Sequence, residues 1–293
     1  MAKVRGSTPL IAAIALGGVT LSGISAWITA GSDGNGASDW AAAGRAVMVA
    51  VPVLAGCCAW YWRPGDRFGP ALAATGYASF LTTLAESNDG LLYGFGRVSG
   101  WFVELLLVYL ILSFPSGRLP ARRDVALVAA MAALMAVLYL PTALLVTDYP
   151  TPAPWTSCEG SGCPPNGLMV PTSEPAFVDN VVQPLRETLT FVLYLLVMVR
   201  ITLRVRNATP LMRRTLSPVL AVAVARLFIL PLALVTRAVS PDSVALDGLT
   251  WALALAFPVL AVGFLIGLLQ WRLFLAGSIS TLGARLRGVV PAN

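Results

Sequence analysis

The chain has 293 residues, of which 57% are hydrophobic and 12% charged, and its mean hydropathy is +0.77. That charged share is about half that of an ordinary soluble domain, which leaves too little polar surface for a soluble globule and points to a membrane protein. The net charge of +6 does not point to nucleic acid, because the arginines sit in short clusters between apolar runs and no basic stripe alternates with aromatics.

A helix crossing about 30 Å of hydrocarbon needs about 20 apolar residues. Such runs lie near residues 9–30, 43–62, 68–86, 98–115, 125–147, 180–203, 216–237 and 248–270. The expected fold is therefore all-α, a polytopic bundle of about eight transmembrane helices over residues 1–270, followed by a cytoplasmic linker over 271–293. The first run follows Lys3 and Arg5 and ends at Ile28, Thr29 and Ala30. Its apolar stretch exceeds a signal-peptide core and Ile28 suits a cleavage site poorly, so an uncleaved helix is expected. The third and fourth runs carry the weakest signal, being interrupted by Thr82, Thr83, Gly94, Gly96 and Gly100.

Basic residues resist translocation and gather on the cytoplasmic side. Lys3, Arg5, Arg63, Arg67, Arg118, Arg122, Arg123, Arg200, Arg204, Arg206, Arg213, Arg214, Arg272, Arg285 and Arg287 fall on one side of the alternating runs. Only Arg97 and Arg237 fall on the other, together with acids such as Glu86, Asp89, Asp148, Glu174 and Asp247; Asp66 and Asp124 stay with the bases. The pattern predicts both termini in the cytoplasm and a long outer loop over 148–179. Lys3 is the one lysine among the 20 basic residues, a bias that fits a GC-rich bacterial coding sequence. The expected location is the bacterial cytoplasmic, or inner, membrane.

Cys57 and Cys58 are adjacent within an apolar run and read as packing residues. Cys158 and Cys163 lie in the outer loop, which is rich in Pro, Gly and Ser and faces an oxidising compartment, so a disulfide is the preferred reading. A metal site is the alternative, but no histidine and no second outer cysteine pair are present to complete four ligands.

Ionisable residues inside hydrocarbon are costly, at about 2.5–3.5 kcal/mol each, and should face a partner, a cavity or an interface. Arg45, Glu104, Arg186 and Glu187 map to the outer halves of their runs and Arg226 to the middle of its own. Their equal depth allows Glu104 to pair with Arg186 or Arg45 across helices. Two readings stay open: a polar pocket open to the outside, or structural ion pairs that fix helix order, with Arg45 and Arg186 snorkelling to the interface.

The chain contains no histidine, which removes the commonest general base and metal ligand. It has no phosphate-binding loop, no zinc-protease signature and no nucleophile elbow. No catalytic residue, metal or cofactor is expected, and the chain alone is not expected to be an enzyme.

Three segments, in order, resemble the membrane-embedded sensor half of multi-span sensor histidine kinases of the actinobacterial type. They are RPGDRFG, with Arg63, Pro64, Arg67 and Gly69; LILSFPSGRLP, with Phe114, Pro115, Ser116, Gly117 and Arg118; and FPVLAVGFLIGLLQWRLF, Phe257 to Phe274, leading into LGARLRG, Leu282 to Gly288. The outer CEGSGCPPN, Cys158 to Asn166, is similar to a Cys-Cys-Pro-Asn element of that group. The resemblance implies that the last run and its linker lead toward dimerising phosphoacceptor helices. A kinase core would begin near residue 290; without it and its histidine, the chain is expected to be the sensor half of a truncated or split kinase, or a free-standing relative that signals through a partner.

Leu275, Ile279, Leu282, Leu286 and Val289 recur at alternating spacings of four and three, the seam of a short coiled coil. An amphipathic helix lying on the inner membrane surface reads equally well from these residues. Gly263 and Gly267 on the last run would allow close helix approach, within or between chains. The functional expectation is a signal-input module of a two-component system, acting as a homodimer in the lipid bilayer with a kinase core or response regulator encoded nearby and with no nucleic acid. Alternatives are a transporter with a midplane charged site at Arg226 and Glu104, or a non-catalytic structural subunit. Against the transporter, the two halves of the chain show no convincing repeat.

Overall fold

The computed structural model describes residues 8–32, 39–151, 153–156, 158, 162–208, 210–240 and 243–289, with side chains as far as Gln270 except at 39, 210–212, 214–216, 218 and 238. Among the described residues the secondary structure is helical, and the one β-bridge, Ala153 with Thr156, is isolated. The helices are α1 (Thr8–Ala30), α2 (Asp39–Trp62), α3 (Phe68–Leu81), α4 (Gly90–Ser113), α5 (Arg122–Leu134), α6 (Gln183–Arg206), α7 (Pro210–Val239) and α8 (Val244–Val289). Seven of these, with their helical extensions, are long and apolar enough to cross a membrane, so the chain is a multi-pass α-helical membrane protein.

Two extensions have a common cause. A π turn, Met135–Tyr139, carries α5 into Leu140–Ala143, and another, Val178–Val182, leads into α6. Pro141 and Pro184 follow them, and a proline cannot donate to the carbonyl four residues back, so the widened turn absorbs the missing bond.

The third expected run divides. After the 14-residue α3 the backbone tightens into a 3-10 segment, Thr82–Glu86, where the Thr82 hydroxyl donates to the Ser79 carbonyl at 2.6 Å and Thr83 meets Ser25 at 2.7 Å. The fourth run begins earlier than expected, at Gly90 rather than 98, because the Asp89 carboxylate caps Leu92 N at 2.9 Å. Its glycines are points of close packing rather than breaks. A Cβ at Gly96 would overlap the Leu84–Ala85 backbone, and one at Gly100 would overlap Trp155.

Consecutive helices pack as antiparallel neighbours from α2 to α8, and α8 returns to α2, closing a ring of seven. α1 lies outside this ring against α2 and α3, and its Leu16, Val19 and Trp27 stay exposed, as suits an apolar solvent. Where α2 crosses α3, Gly56 meets the Ala73 backbone and Gly69 meets Trp60, the small-residue contact that lets membrane helices approach. The ring interior is filled from all seven helices, with Leu72, Leu107, Met131, Val197, Ala223 and Leu260 among its buried members.

The segment after α5 folds over one end of the ring, here termed the long-loop end. Asn166 donates to the carbonyls of Ala143 and Val146 at 2.7 and 2.8 Å, and Thr156 donates to that of Ala85 at 2.9 Å. Cys158 and Cys163 are joined by a disulfide with Cα atoms 5.4 Å apart. Burial pushes the Tyr149 phenol well above its ordinary pKa, and this tyrosine donates to Asn166 at 3.1 Å.

Candidate functional site

Inside the ring, Arg226 on α7 is 1% exposed and about 20 Å along the helix from either end, beyond the reach of snorkelling. Its guanidinium forms a salt bridge with Glu104 of α4 and donates to the Leu253 carbonyl of α8. The other Glu104 oxygen accepts from the Tyr194 hydroxyl of α6 at 3.1 Å. One buried ion pair thus ties four helices together, with its carboxylate bonded on both oxygens.

A cavity of about 160 Å³ lies between this node and the long-loop end. Glu104, Tyr194 and Leu253 line its deep side, and Arg97, Arg186, Arg237 and Glu187 supply further charge. Much of the remaining wall is apolar, including Trp101, Met135, Trp155 and Leu234. Arg186 is 5% exposed and sits 4.8 Å from the centre of the Tyr139 ring, with its nearest carboxylate, Glu187, at 4.0 Å. Tyr139 is held in turn by Thr190 at 2.8 Å. Arg97, 7% exposed, donates from Nη2 to the Pro150 carbonyl at 2.7 Å and lies over Tyr93 and Tyr149 at 5.8 and 5.4 Å. Among the described residues, Nη1 of Arg97 and Nε of Arg186 are buried without a hydrogen-bond partner, a condition that costs about 1–3 kcal/mol per group.

At the opposite end of the ring RPGDRFG, FPSGR and the Phe264 turn of α8 converge. In RPGDRFG, Arg63 Nε contacts Asp66 at 2.6 Å and closes the turn. Gly117, at φ 72°, sits directly against the Arg67–Phe68 backbone, where a Cβ has no room. Its carbonyl accepts from the Tyr109 hydroxyl at 2.8 Å. Phe68, Phe114 and Phe264 of α8 form a buried trio with ring centroids 4.9, 5.1 and 5.2 Å apart. Arg204 donates to the carbonyls of Leu112 and Phe114 at 2.8 and 2.7 Å, and Arg200 holds the buried Asp124 at 2.6 and 3.3 Å.

Several expectations are corrected. Glu104 pairs with Arg226, not with Arg186 or Arg45, because α4 and α7 face each other across the ring interior. Arg45 pairs at 2.6 Å with Glu86, which the sequence had placed at the outer end of the third run; the 3-10 segment turns that carboxylate inward. Neither Arg45 nor Arg186 snorkels, since both are buried. Arg97 and Arg237, assigned to outer loops, lie within α4 and the last turn of α7 and line the cavity. Asp124, Arg200 and Arg204, expected only to lie on the basic side, fasten α5, α6 and the end of α4 together. Cys57 is buried and Cys58 exposed, both free. The α8 backbone remains helical to Val289, while the seam side chains Leu275, Ile279, Leu282, Leu286 and Val289 lie outside the described side chains.

Compared with known proteins, the chain matches no family model, no curated protein and no solved structure.

Proposed function

We propose that the chain is the membrane-embedded signal-input module of a two-component sensor histidine kinase, or a free-standing relative of one. The observation that carries this reading is the continuity of α8. This single 46-residue helix runs from the cavity, at Thr250 and Leu253, past the aromatic trio at Phe264 to Val289. At about 1.5 Å per residue, Leu253 and Phe264 are about 16 Å apart along it, and Val289 lies about 38 Å further. Between the first two, Pro258 cannot donate to the Ala254 carbonyl, which leaves a compliant point in the helix. A change at the cavity that loosens the Arg226 contact with Leu253 shifts α8 against Phe68 and Phe114 and changes the register of the tail in a dimer.

The same reading has about eight crossings with both termini in the cytoplasm. α3 and its 3-10 extension, at about 1.5 and 2.0 Å rise per residue, reach about 31 Å and lie antiparallel between two longer helices. The basic residues at the end opposite the long loop favour that end as cytoplasmic.

Cysteine crosslinking in native membranes tests the output. With Cys57 and Cys58 replaced by serine, single cysteines at 275, 279, 282, 286 and 289 should crosslink between chains more efficiently than those at 277, 280 and 284. Uniformly absent crosslinks would remove the dimer. A kinase core or response regulator encoded beside the gene is the expected genomic context.

A further inference from the structure

We propose that the cavity binds an amphipathic anion, a carboxylate or phosphate headgroup with an apolar arm. The headgroup sits on Arg97 and Arg186 and the arm lies among Trp101, Met135, Trp155 and Leu234. This inference rests on the reading of the cavity as the input end of α8 and specifies what it receives.

The charge balance selects an anion. Arg97, Arg186 and Arg237 line the cavity against Glu104 and Glu187, and Glu104 is already neutralised by Arg226. Among the described residues Arg97 Nη1 and Arg186 Nε, on side chains more than nine-tenths buried, have no hydrogen-bond partner, and an anionic oxygen is the acceptor such donors lack. The aromatic faces under each guanidinium hold its position without consuming its donors. The lining selects an apolar arm, since a cavity of about 150 Å³ with apolar walls admits a benzene-sized group. A hydrophilic anion alone would leave the two tryptophans unsatisfied as contacts, and an uncharged chain would leave the arginine donors unpaired.

The full chain in phosphatidylcholine nanodiscs is titrated with 8-bromooctanoate, 8-bromooctanol and inorganic phosphate. Quenching of tryptophan by bromine reports binding, because Trp101 and Trp155 line the cavity. The expected result is saturable quenching by bromooctanoate at an affinity at least tenfold tighter than bromooctanol, weakened at least tenfold by Arg186→Gln. Ala233→Phe, which fills the cavity and keeps every charge, should weaken it equally if Arg186→Gln fails to fold. A parallel series in nanodiscs carrying brominated phosphatidylglycerol or brominated phosphatidylcholine separates a lipid headgroup from a free amphiphile; selective quenching by the former also supports the proposal. Equal affinity for the alcohol, full competition by phosphate at the affinity of octanoate, unchanged binding in the folded variants, or no anion-selective quenching in either series overturns it. Tail crosslinking is measured separately, so a failed ligand leaves the signalling reading standing, and lost crosslinks leave the binding site standing.

Discussion

Replacing Arg226 with leucine removes the one cation among the described residues that is bonded to Glu104 and leaves a carboxylate in the ring interior with only the Tyr194 hydroxyl among its observed bonds. Polar pairs between membrane helices average about 0.6 kcal/mol when both partners can find substitutes. Here neither can, because Arg226 is 1% exposed and far from either interface. The relevant figure is the penalty for breaking a buried pair, about 3–5 kcal/mol. Arg226→Leu should therefore lower unfolding stability by about that amount, while Glu104→Gln with Arg226→Leu, which leaves no charge at this node, should recover at least about half of it. Unfolding in mixed micelles by SDS titration, followed by far-UV circular dichroism, measures both variants and the single Glu104→Gln. A double-mutant coupling below about 0.5 kcal/mol would show that the two residues act independently and would refute the four-helix node.

Gly117→Ala should destabilise by at least about 1 kcal/mol, since the residue needs a positive φ and its Cβ would meet the Arg67–Phe68 backbone; the same unfolding titration reads it, and an unchanged midpoint would place the two turns apart. Phe264→Ala should cost about 3–5 kcal/mol by opening a hole in the aromatic trio, and Phe264→Leu distinctly less. Thiol titration of denatured, unreduced protein should find Cys57 and Cys58 alone, with Cys158 and Cys163 appearing only after reduction; four reactive thiols before reduction would disprove the bridge. Asp124→Asn should lower stability by about 1–3 kcal/mol, because it removes the charge-assisted bonds to Arg200, and the midpoint of the same titration checks it.

The helices were legible because crossing hydrocarbon demands length and apolarity, both of which are properties of a contiguous run. Residues 98–115 were placed within reach of the observed α4 for that reason, and the error at its start came from reading Gly94 and Gly96 as breaks. A glycine in a helix surrounded by apolar groups keeps its backbone bonds, and its missing Cβ instead makes room for a neighbour, here the Leu84–Ala85 backbone. The third run was harder, because the shift from α to 3-10 geometry at Thr82 depends on the hydroxyl bonds to Ser79 and Ser25, and one of these comes from a different helix.

The charged residues mark the boundary most sharply. Their presence inside the bundle was evident from position, since Arg45, Glu104, Arg186, Glu187 and Arg226 interrupt apolar runs. Their partners were not. Arg226 meets Glu104 across 122 positions and Arg200 meets Asp124 across 76, separations that no helical period encodes. Those pairings depend on which helices are neighbours and how each is rotated, as does the gathering of Arg97, Arg186 and Arg237 around one cavity. Composition and periodicity by themselves determined that this is a multi-pass helical membrane protein with costly charges among its helices, because the bilayer acts on each segment separately. The identity of each ion pair, the cationic cavity and the meeting of Phe68 and Phe114 with Phe264 were decided by tertiary structure alone, because contact energies act between segments only after the ring has closed.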